Sequence, residues 1–385
     1  MDIEGKNRIT GRFAPSPSGR MHVGNLLSAL LAWLSARAAG GRMVLRMEDL
    51  DPDRTSRALA DQLEDDLRFL GFDWDEGGSA GGPNGPYYQS GRTELYAEAL
   101  AQLEKQGLLY PCFCTRAQLH AAEAPHNSDG ETIYSGRCRG LTTEQIEAQA
   151  RLRAPAVRLR LPDETVRFVD GHYGPVEQNL ERECGDIILR RSDGVFAYQL
   201  AVVLDDIAMG VTQVVRGRDL LSSTPRQMYL YRLFGASPPQ YIHVPLLLAR
   251  DGRRLSKREH DLDLGALRAH GFSGEEIVGR VAYLAGLLPH PRPARPRDLL
   301  PLFSWEKVPK ENLVLPEDLF RDAQQGLARF AAPGGPRSAV EPRGWPRSCK
   351  KIPLGERMGL DGDPAAPGDG DGGSAATGVG GILCV

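Results

Sequence analysis

The sequence predicts an α/β fold built on a parallel sheet, and three observations carry that expectation. Strand-like and helix-like segments alternate from residue 8 to Gly107, the order that a parallel sheet with crossover helices requires. The same alternation returns from Val211 to Gly235. Between the two lies a stretch of short strands and clustered cysteines that reads as a mixed insertion separating two halves of the sheet.

In order along the chain, ITGRFAP (9–15) is a short strand and its turn. The helix after it, from Asn25 to Ala39, is apolar on most sides at Leu26, Leu27, Leu30, Leu31, Trp33 and Leu34, so it is buried with its N-terminus aimed at something. MVLRMEDLD (43–51) is a second strand ending in acidic residues. From Thr55, Leu59, Leu63, Leu67 and Leu70 keep a helical period that Gly71 ends, and a further helix runs through Leu95, Ala99 and Leu103 to Gly107. In the insertion, VRLRL (157–161) and TVRFVD (165–170) are expected to pair across a Pro-Asp-Glu turn, and DIILRR (186–191) with VFAYQLA (195–201) across Ser192, Asp193 and Gly194. VTQVVRG (211–217) is a buried strand; the next helix has Thr224 as N-cap, Pro225 in its first turn and Gly235 at its end. DGRRLSKREHD (251–261) is a cation-rich loop, and helical segments follow to about residue 330. Residues 361–381, DGDPAAPGDGDGGSAATGVGG, hold too little apolar surface to offset chain entropy, which predicts a disordered tail.

The chain of 385 residues is too long for one small core. Its 47 Lys+Arg against 50 Asp+Glu exclude a basic sheath for nucleic acid, although a local basic face can still exist. The longest apolar helix is too short to span a bilayer, and no secretory signal precedes it. A cytoplasmic protein with no membrane association and no obligate protein partner is expected. Of the six cysteines, three fall within residues 112–138, which is a metal-site signal rather than a secreted disulfide framework.

RFAPSPSGRMHVGN (12–25) places a Pro/Ser/Gly turn and His22 immediately before the buried helix. Free N–H groups and the helix dipole at such an N-terminus favour an anion, His22 adds a donor, and Gly24 leaves room for a flat ring. The alternative is a Pro/Gly turn with a solvent-facing histidine. RRLSK (253–257) supplies Arg254 and Lys257, which could meet phosphates from the opposite side; a solvated basic turn is the competing reading. PCFCTR and YSGRC supply Cys112, Cys114, Tyr134 and Cys138. Three thiolates form a zinc site given a fourth ligand, for which His120 and His126 are the usual candidates.

Together these motifs resemble the class I aminoacyl-tRNA synthetases. FAPSPSGRMHVGN is similar to their HIGH signature, with Asn25 at its fourth position, and RLSKR to their KMSKS loop. RFAPSPSG, LRMEDLDPDR, RRSDGVFAYQLAVVLDD and GVTQVVRGRDLLSSTPRQ resemble the glutamyl branch, in the same order, over about residues 8–260. The resemblance implies a Rossmann-like catalytic sheet and glutamate activation by ATP with magnesium. It implies catalytic roles for His22, Gly24 and Lys257, and ATP contacts from His22, Gly24, Asn25, Arg254, Ser256 and Lys257. It also implies glutamate contacts from Arg12, Ala14, Ser16, Glu48, Tyr198 and Arg216, and zinc held by Cys112, Cys114, Cys138 and, as in the family, Tyr134.

The expected divisions are 1–110 and 191–250 for the two catalytic halves and 111–190 for a zinc-binding, RNA-contacting insertion. Residues 251–330 form the KMSKS-like loop and a short helical part, and 331–385 the tail. That leaves too little chain after Lys257 for an anticodon-binding domain of typical size. The combination resembles the glutamyl-Q tRNA(Asp) subgroup, whose partner is the tRNA(Asp) anticodon stem-loop and whose acceptor is the queuosine base at the wobble position. A truncated glutamyl-tRNA synthetase charging a 3′ end, and a non-catalytic paralogue binding RNA or glutamate, are the alternatives.

Overall fold

The structure, a computed structural model, describes residues 8–119, 133–249, 251–253, 263–316 and 318–320. The chain divides into Met1–Gly326 and Leu327–Val385, and the second unit, with the tail expectation, lies outside the described residues. So do Arg254, Ser256, Lys257, His120 and His126.

The N-terminal part of the sheet follows the predicted alternation. Strand β1 (Thr10–Phe13) leads to α1 (Val23–Ala38), then β2 (Arg42–Leu45), α2 (Arg57–Phe69) and β3 (Glu76–Gly77), with β1–β2 and β2–β3 both parallel. Helix α1 is buried along Leu26, Leu27, Leu30, Leu31, Trp33 and Leu34, the residues that marked it in the sequence. Burying each such side chain fully contributes about 1.5–3 kcal/mol, so this helix anchors the sheet. Helix α3 (Thr93–Lys105) comes next. Ser56 caps α2, by accepting from the Leu59 N–H at 3.2 Å.

The insertion differs from its sequence reading. It begins with β4 (Leu109–Cys112), the short α4 (Arg116–Leu119) and α5 (Thr143–Ala150). Strand β5 (Ala156–Leu159) pairs antiparallel with β4 and with β8 (Ile187–Arg190), not with the segment that follows it. That segment, β6 (Thr165–Asp170), forms its own hairpin with β7 (Gly174–Asn179). Local alternation cannot tell a partner across a short turn from one brought back by the fold, and here the distant partners win. The second expected hairpin reduces to a bridge between Arg190 and Phe196, because Tyr198 already begins a helix, α6 (Tyr198–Ala208). Its buried Leu200–Leu204 run satisfies a helix as well as a strand, and length decides for the helix.

The second half supplies β9 (Gln213–Gly217), α7 (Thr224–Leu233) and β10 (Gln240–Val244), with β9 and β10 parallel. Thr212 joins the halves: its N–H donates to the Thr10 carbonyl at 3.0 Å, and its hydroxyl accepts from the Thr10 N–H at 2.8 Å. Thr224 is the first residue of α7 rather than its cap, since a 3₁₀ turn over Arg218–Ser223 runs straight into the helix. Strand β11 (Leu247–Leu248) pairs with β12 (Leu313–Val314), and between them lie α8 (Leu264–Ala269) and α9 (Gly274–Leu284). After α9 the described chain holds 3₁₀ turns rather than further α-helices. Among the described residues no helix is long and apolar enough to cross a membrane.

Candidate active site and cysteine cluster

His22 is the N-cap of α1. Its Nδ1 accepts from the backbone N–H groups of Gly24 (3.1 Å) and Asn25 (3.3 Å), while the Asn25 side-chain oxygen accepts from the His22 N–H. The helix N–H groups expected to be free are therefore partly taken by the histidine itself. A neutral ring accepting at Nδ1 carries its proton on Nε2, so His22 presents an imidazole donor rather than bare helix amides. Gly24 has a further reason to lack a side chain: a Cβ there would stand 3.0 Å from two atoms of the His22 ring. Residues just beyond the cationic loop return to this spot. Asp263 bridges His22, and the Leu264 N–H donates to the Met21 carbonyl at 2.9 Å. Buried Asp66 braces the same corner by pairing with Arg20 (2.8 Å) and Arg268 (3.0 Å).

Arg12, Glu48 and Arg216, at the ends of β1, β2 and β9, lie close enough to Tyr198 at the start of α6 for their charges to act on it. The charges of Arg216, Glu48 and Arg12 all act on the Tyr198 hydroxyl, whose pKa is pushed up to about 12, first by burial. Among the described residues Arg12 has one hydrogen bond, from Nη1 to the Val215 carbonyl at 3.4 Å, and its Nε lies 3.7 Å from Asp206. Arg216 is held far more tightly. Its Nε donates to His243 (3.1 Å), Nη1 to Gln227 (2.8 Å), and Nη2 to the Leu220 carbonyl (3.2 Å) and the Thr224 hydroxyl (2.8 Å). Thr224 thus serves Arg216 instead of capping its helix. Ala14 and Ser16 line the turn after β1; the Pro15 carbonyl between them accepts from the Glu48 N–H at 2.9 Å.

Sequence reasoning missed the charges that sit beside these residues. Arg46, fully buried, donates from Nη1 to Asp206 (2.7 Å) and from Nη2 to Glu48 (3.1 Å), and its Nε lies 3.7 Å from Asp205. Asp205 also accepts from Gln89 (2.7 Å), Arg92 (2.6 Å) and Tyr96 (2.9 Å). Three guanidiniums thus face three carboxylates in the interior. Burial raises the Glu48 pKa, opposed by Arg46 and Arg12. A signal was present: Arg46 and Glu48 stand two residues apart at the end of a strand and so share a face.

The cysteine cluster forms in the insertion. The Sγ atoms of Cys112, Cys114 and Cys138 lie within 4.8 Å of one another, Cys114 and Cys138 at 3.7 Å. Tyr134 Oη is 3.5 Å from Cys112 Sγ and 3.8 Å from Cys114 Sγ. Tetrahedral zinc bonded to sulfur and oxygen at its usual lengths needs S···S near ~3.8 Å and S···O near ~3.5 Å, so the donor set fits the ion. Burial pushes Cys112 up, but hydrogen bonding with Tyr134, the Cys114 backbone and Arg158 outweighs it and the net shift is downward; Cys114 is pushed up to about 11, first by burial. The cluster is stapled to the rest of the insertion. Arg139 grips Asp186 through Nε (2.5 Å) and Nη2 (2.6 Å), and the Arg158 guanidinium lies 3.7 Å over the Tyr134 ring. Tyr134 bridges Gly185, whose φ of +67° and close approach to the Tyr134 backbone (a Cβ would meet its N at 2.9 Å) require glycine.

Residues 8–288 match the family model described as tRNA synthetases class I (E and Q), catalytic domain. The chain is 52% identical over 323 residues to a glutamyl-Q tRNA(Asp) synthetase of Nitratidesulfovibrio vulgaris, and 50% identical over 323 residues to one of Symbiobacterium thermophilum. In both cases the match takes in 83% of this chain and 100% of the relative. Among solved structures, a glutamate tRNA ligase from Elizabethkingia meningosepticum in complex with its amino acid superposes with a TM-score of 0.69 at 26% identity, covering 84% of this chain and 70% of that one.

Proposed function

Because this chain belongs to the class I tRNA synthetases of the glutamyl and glutaminyl type, and within them to the glutamyl-Q tRNA(Asp) synthetases, we propose that it joins glutamate to queuosine in tRNA(Asp). It activates glutamate with ATP: an α-carboxylate oxygen attacks the α-phosphorus, the bond to the β-phosphate breaks, and pyrophosphate leaves. A hydroxyl of the queuosine base at the wobble position then attacks the acyl carbon, and AMP leaves. The observation that carries this reading is the convergence of Arg12, Glu48 and Arg216 around Tyr198. Glu48 takes the substrate ammonium; that cation, like Arg46, opposes the effect of burial and keeps the carboxylate ionised. Arg12, with most of its donors open, takes a carboxylate, and Arg216 adds its remaining Nη1 proton. Tyr198 supplies a hydroxyl at the pocket wall, while Ala14 and Ser16 contribute turn contacts. His22, Gly24 and Asn25 form the ATP side, with Arg254, Ser256 and Lys257 meeting the phosphates from the cation-rich loop. Positioning and charge stabilisation are what such a displacement chiefly needs, and the described chain next to that loop, at Asp263, lies beside His22.

Residues 1–110 and 191–250 are read as the catalytic halves, with 111–190 presenting the anticodon stem-loop to them. Zinc, when bound by Cys112, Cys114, Cys138 and Tyr134, would fix the insertion without taking part in the reaction. Fresh protein is expected to contain one zinc per chain by elemental analysis. Chelation should expose residues 111–140 to hydrogen exchange while leaving ATP binding intact. Fresh protein free of zinc would overturn the assignment.

The test of the activity is ATP–pyrophosphate exchange with glutamate and no tRNA, followed by transfer of labelled glutamate to queuosine-containing tRNA(Asp) and to tRNA(Glu). Exchange with glutamate alone and labelling of tRNA(Asp) is the expected result. Exchange only with tRNA(Glu) present, and label at its 3′ end, would favour the second reading, a glutamyl-tRNA synthetase, which the likeness to the Elizabethkingia ligase keeps in view.

A further inference from the structure

Arg216 does not stand alone in the sheet. Its neighbour in register on β10 is His243, fully buried, and the Arg216 Nε–H points at the His243 Nε2 across 3.1 Å. Arginine can only donate, so that ring nitrogen must accept and the histidine proton must sit on Nδ1. Nδ1 lies 2.6 Å from Asp170 Oδ2, a carboxylate also fully buried at its side chain. Asp170 is locked in turn by the backbone. Its Oδ1 accepts from the N–H groups of His172 (3.0 Å) and Tyr173 (2.9 Å) in the β6–β7 turn, and Oδ2 from that of His243 (3.1 Å). The Gly171 N–H donates to the Tyr241 carbonyl at 2.9 Å, which docks the turn on β10.

We propose that Asp170 and His243 are positioning residues for Arg216: the carboxylate fixes the imidazole tautomer, the imidazole fixes the guanidinium plane, and the one uncommitted Nη1 proton is thereby aimed into the glutamate pocket. This rests on the reading of Arg216 as a substrate-binding residue. Three of the other four donors of Arg216 are held by Gln227, Leu220 and Thr224, and the tautomer of His243 decides whether Nε is held with them. With the proton on Nε2, two N–H groups would oppose each other in a buried site. The device also ties a turn of the insertion to the catalytic sheet.

The experiment uses the full-length protein labelled with ¹⁵N-histidine, with the His243 signals assigned by their loss in His243→Gln. Long-range ¹H–¹⁵N correlation between pH 6 and 8 should show a protonated Nδ1 and a bare Nε2; a protonated Nε2 would overturn the proposal. Asp170→Asn keeps the size of the carboxyl group and most of its backbone contacts but turns the atom facing Nδ1 into a donor, which should move the proton to Nε2. In glutamate-dependent ATP–pyrophosphate exchange that variant is expected to raise the KM for glutamate at least tenfold, with the KM for ATP unchanged within twofold. A folded Asp170→Asn protein with the parental KM for glutamate would also overturn it. Should the variant not fold, the tautomer in the parent protein decides. A parent with no glutamate-dependent exchange would count against the activity, and the tautomer would still decide whether Asp170 and His243 orient Arg216.

Discussion

Replacement of Arg46 by methionine is expected to lower the stability of the protein by about 4 kcal/mol and to remove most of its glutamate activation. Arg46, Asp205 and Asp206 are almost wholly buried, at 0%, 0% and 3% exposure, with Glu48 beside them at 7%. Removing one partner of a buried ion pair is far more damaging than removing both, because the charge left behind has neither water nor a counter-ion. Here three carboxylates lose their shared cation. Asp205 retains Arg92 at 2.6 Å and Asp206 retains Arg12 at 3.7 Å, but Glu48 keeps only the charge of Arg12. Burial already raises the Glu48 pKa, and without Arg46 it rises further toward a neutral acid that cannot pair an ammonium. Urea unfolding of Arg46→Met beside Arg57→Met, which breaks the exposed pair with Asp61, checks the first claim. Equal midpoints for the two variants would sink it, since an exposed pair contributes little.

The parts of this molecule that could be read from sequence are those whose information is local. Helix α1 announced itself because its apolar residues fall on most of its sides, and α2 because leucines recur at helical spacing. The cysteine cluster could be proposed because metal ligands come in pairs separated by few residues, whereas Tyr134 entered only through the family resemblance. What failed was pairing across distance. The sequence between Val157 and Asp170 contains a good turn, yet β5 is drawn to β4 and β8 while β6 folds back on β7. The Thr224 hydroxyl was assigned to a helix end, but Arg216, eight residues earlier, reaches it first.

The site shows the same division. Arg12, Glu48, Tyr198 and Arg216 were identified by resemblance, and the fold brings them together; Arg46, Asp170, Asp205, Asp206 and His243 were not singled out. Each of those five acts on a partner residue rather than on anything a motif describes, and three of the links span the insertion or the two halves of the sheet. The carboxylates of VVLDD and the histidine of YIHV carry no local mark that separates them from surface residues. Only their burial, visible once the sheet is assembled, shows that each must be paired.

The second large effect belongs to Arg12. Arg12→Ala is expected to lower kcat/KM for glutamate in ATP–pyrophosphate exchange by about a hundredfold to a thousandfold, while leaving the fold nearly intact. The two consequences separate because of how the residue is held. Asp206, its nearest carboxylate at 3.7 Å, has a much closer partner in Arg46 at 2.7 Å, so losing Arg12 does not orphan it. What is lost is a buried guanidinium, 6% exposed, whose only hydrogen bond among the described residues is the long one to Val215. Truncating one side of a buried charge-assisted contact costs about 2–5 kcal/mol, and each 1.4 kcal/mol is about a factor of ten. Arg12→Lys keeps the charge but not the planar fork that matches a carboxylate, and is expected to recover no more than about a tenth of the parental value. The preference for glutamate over glutamine should fall in Arg12→Ala, because the neutral amide loses less than the carboxylate when the cation is removed. A folded Arg12→Ala protein whose kcat and KM for glutamate stay within threefold of the parent would show that the substrate carboxylate is held elsewhere, and Arg216 would then have to bind it with its single open donor.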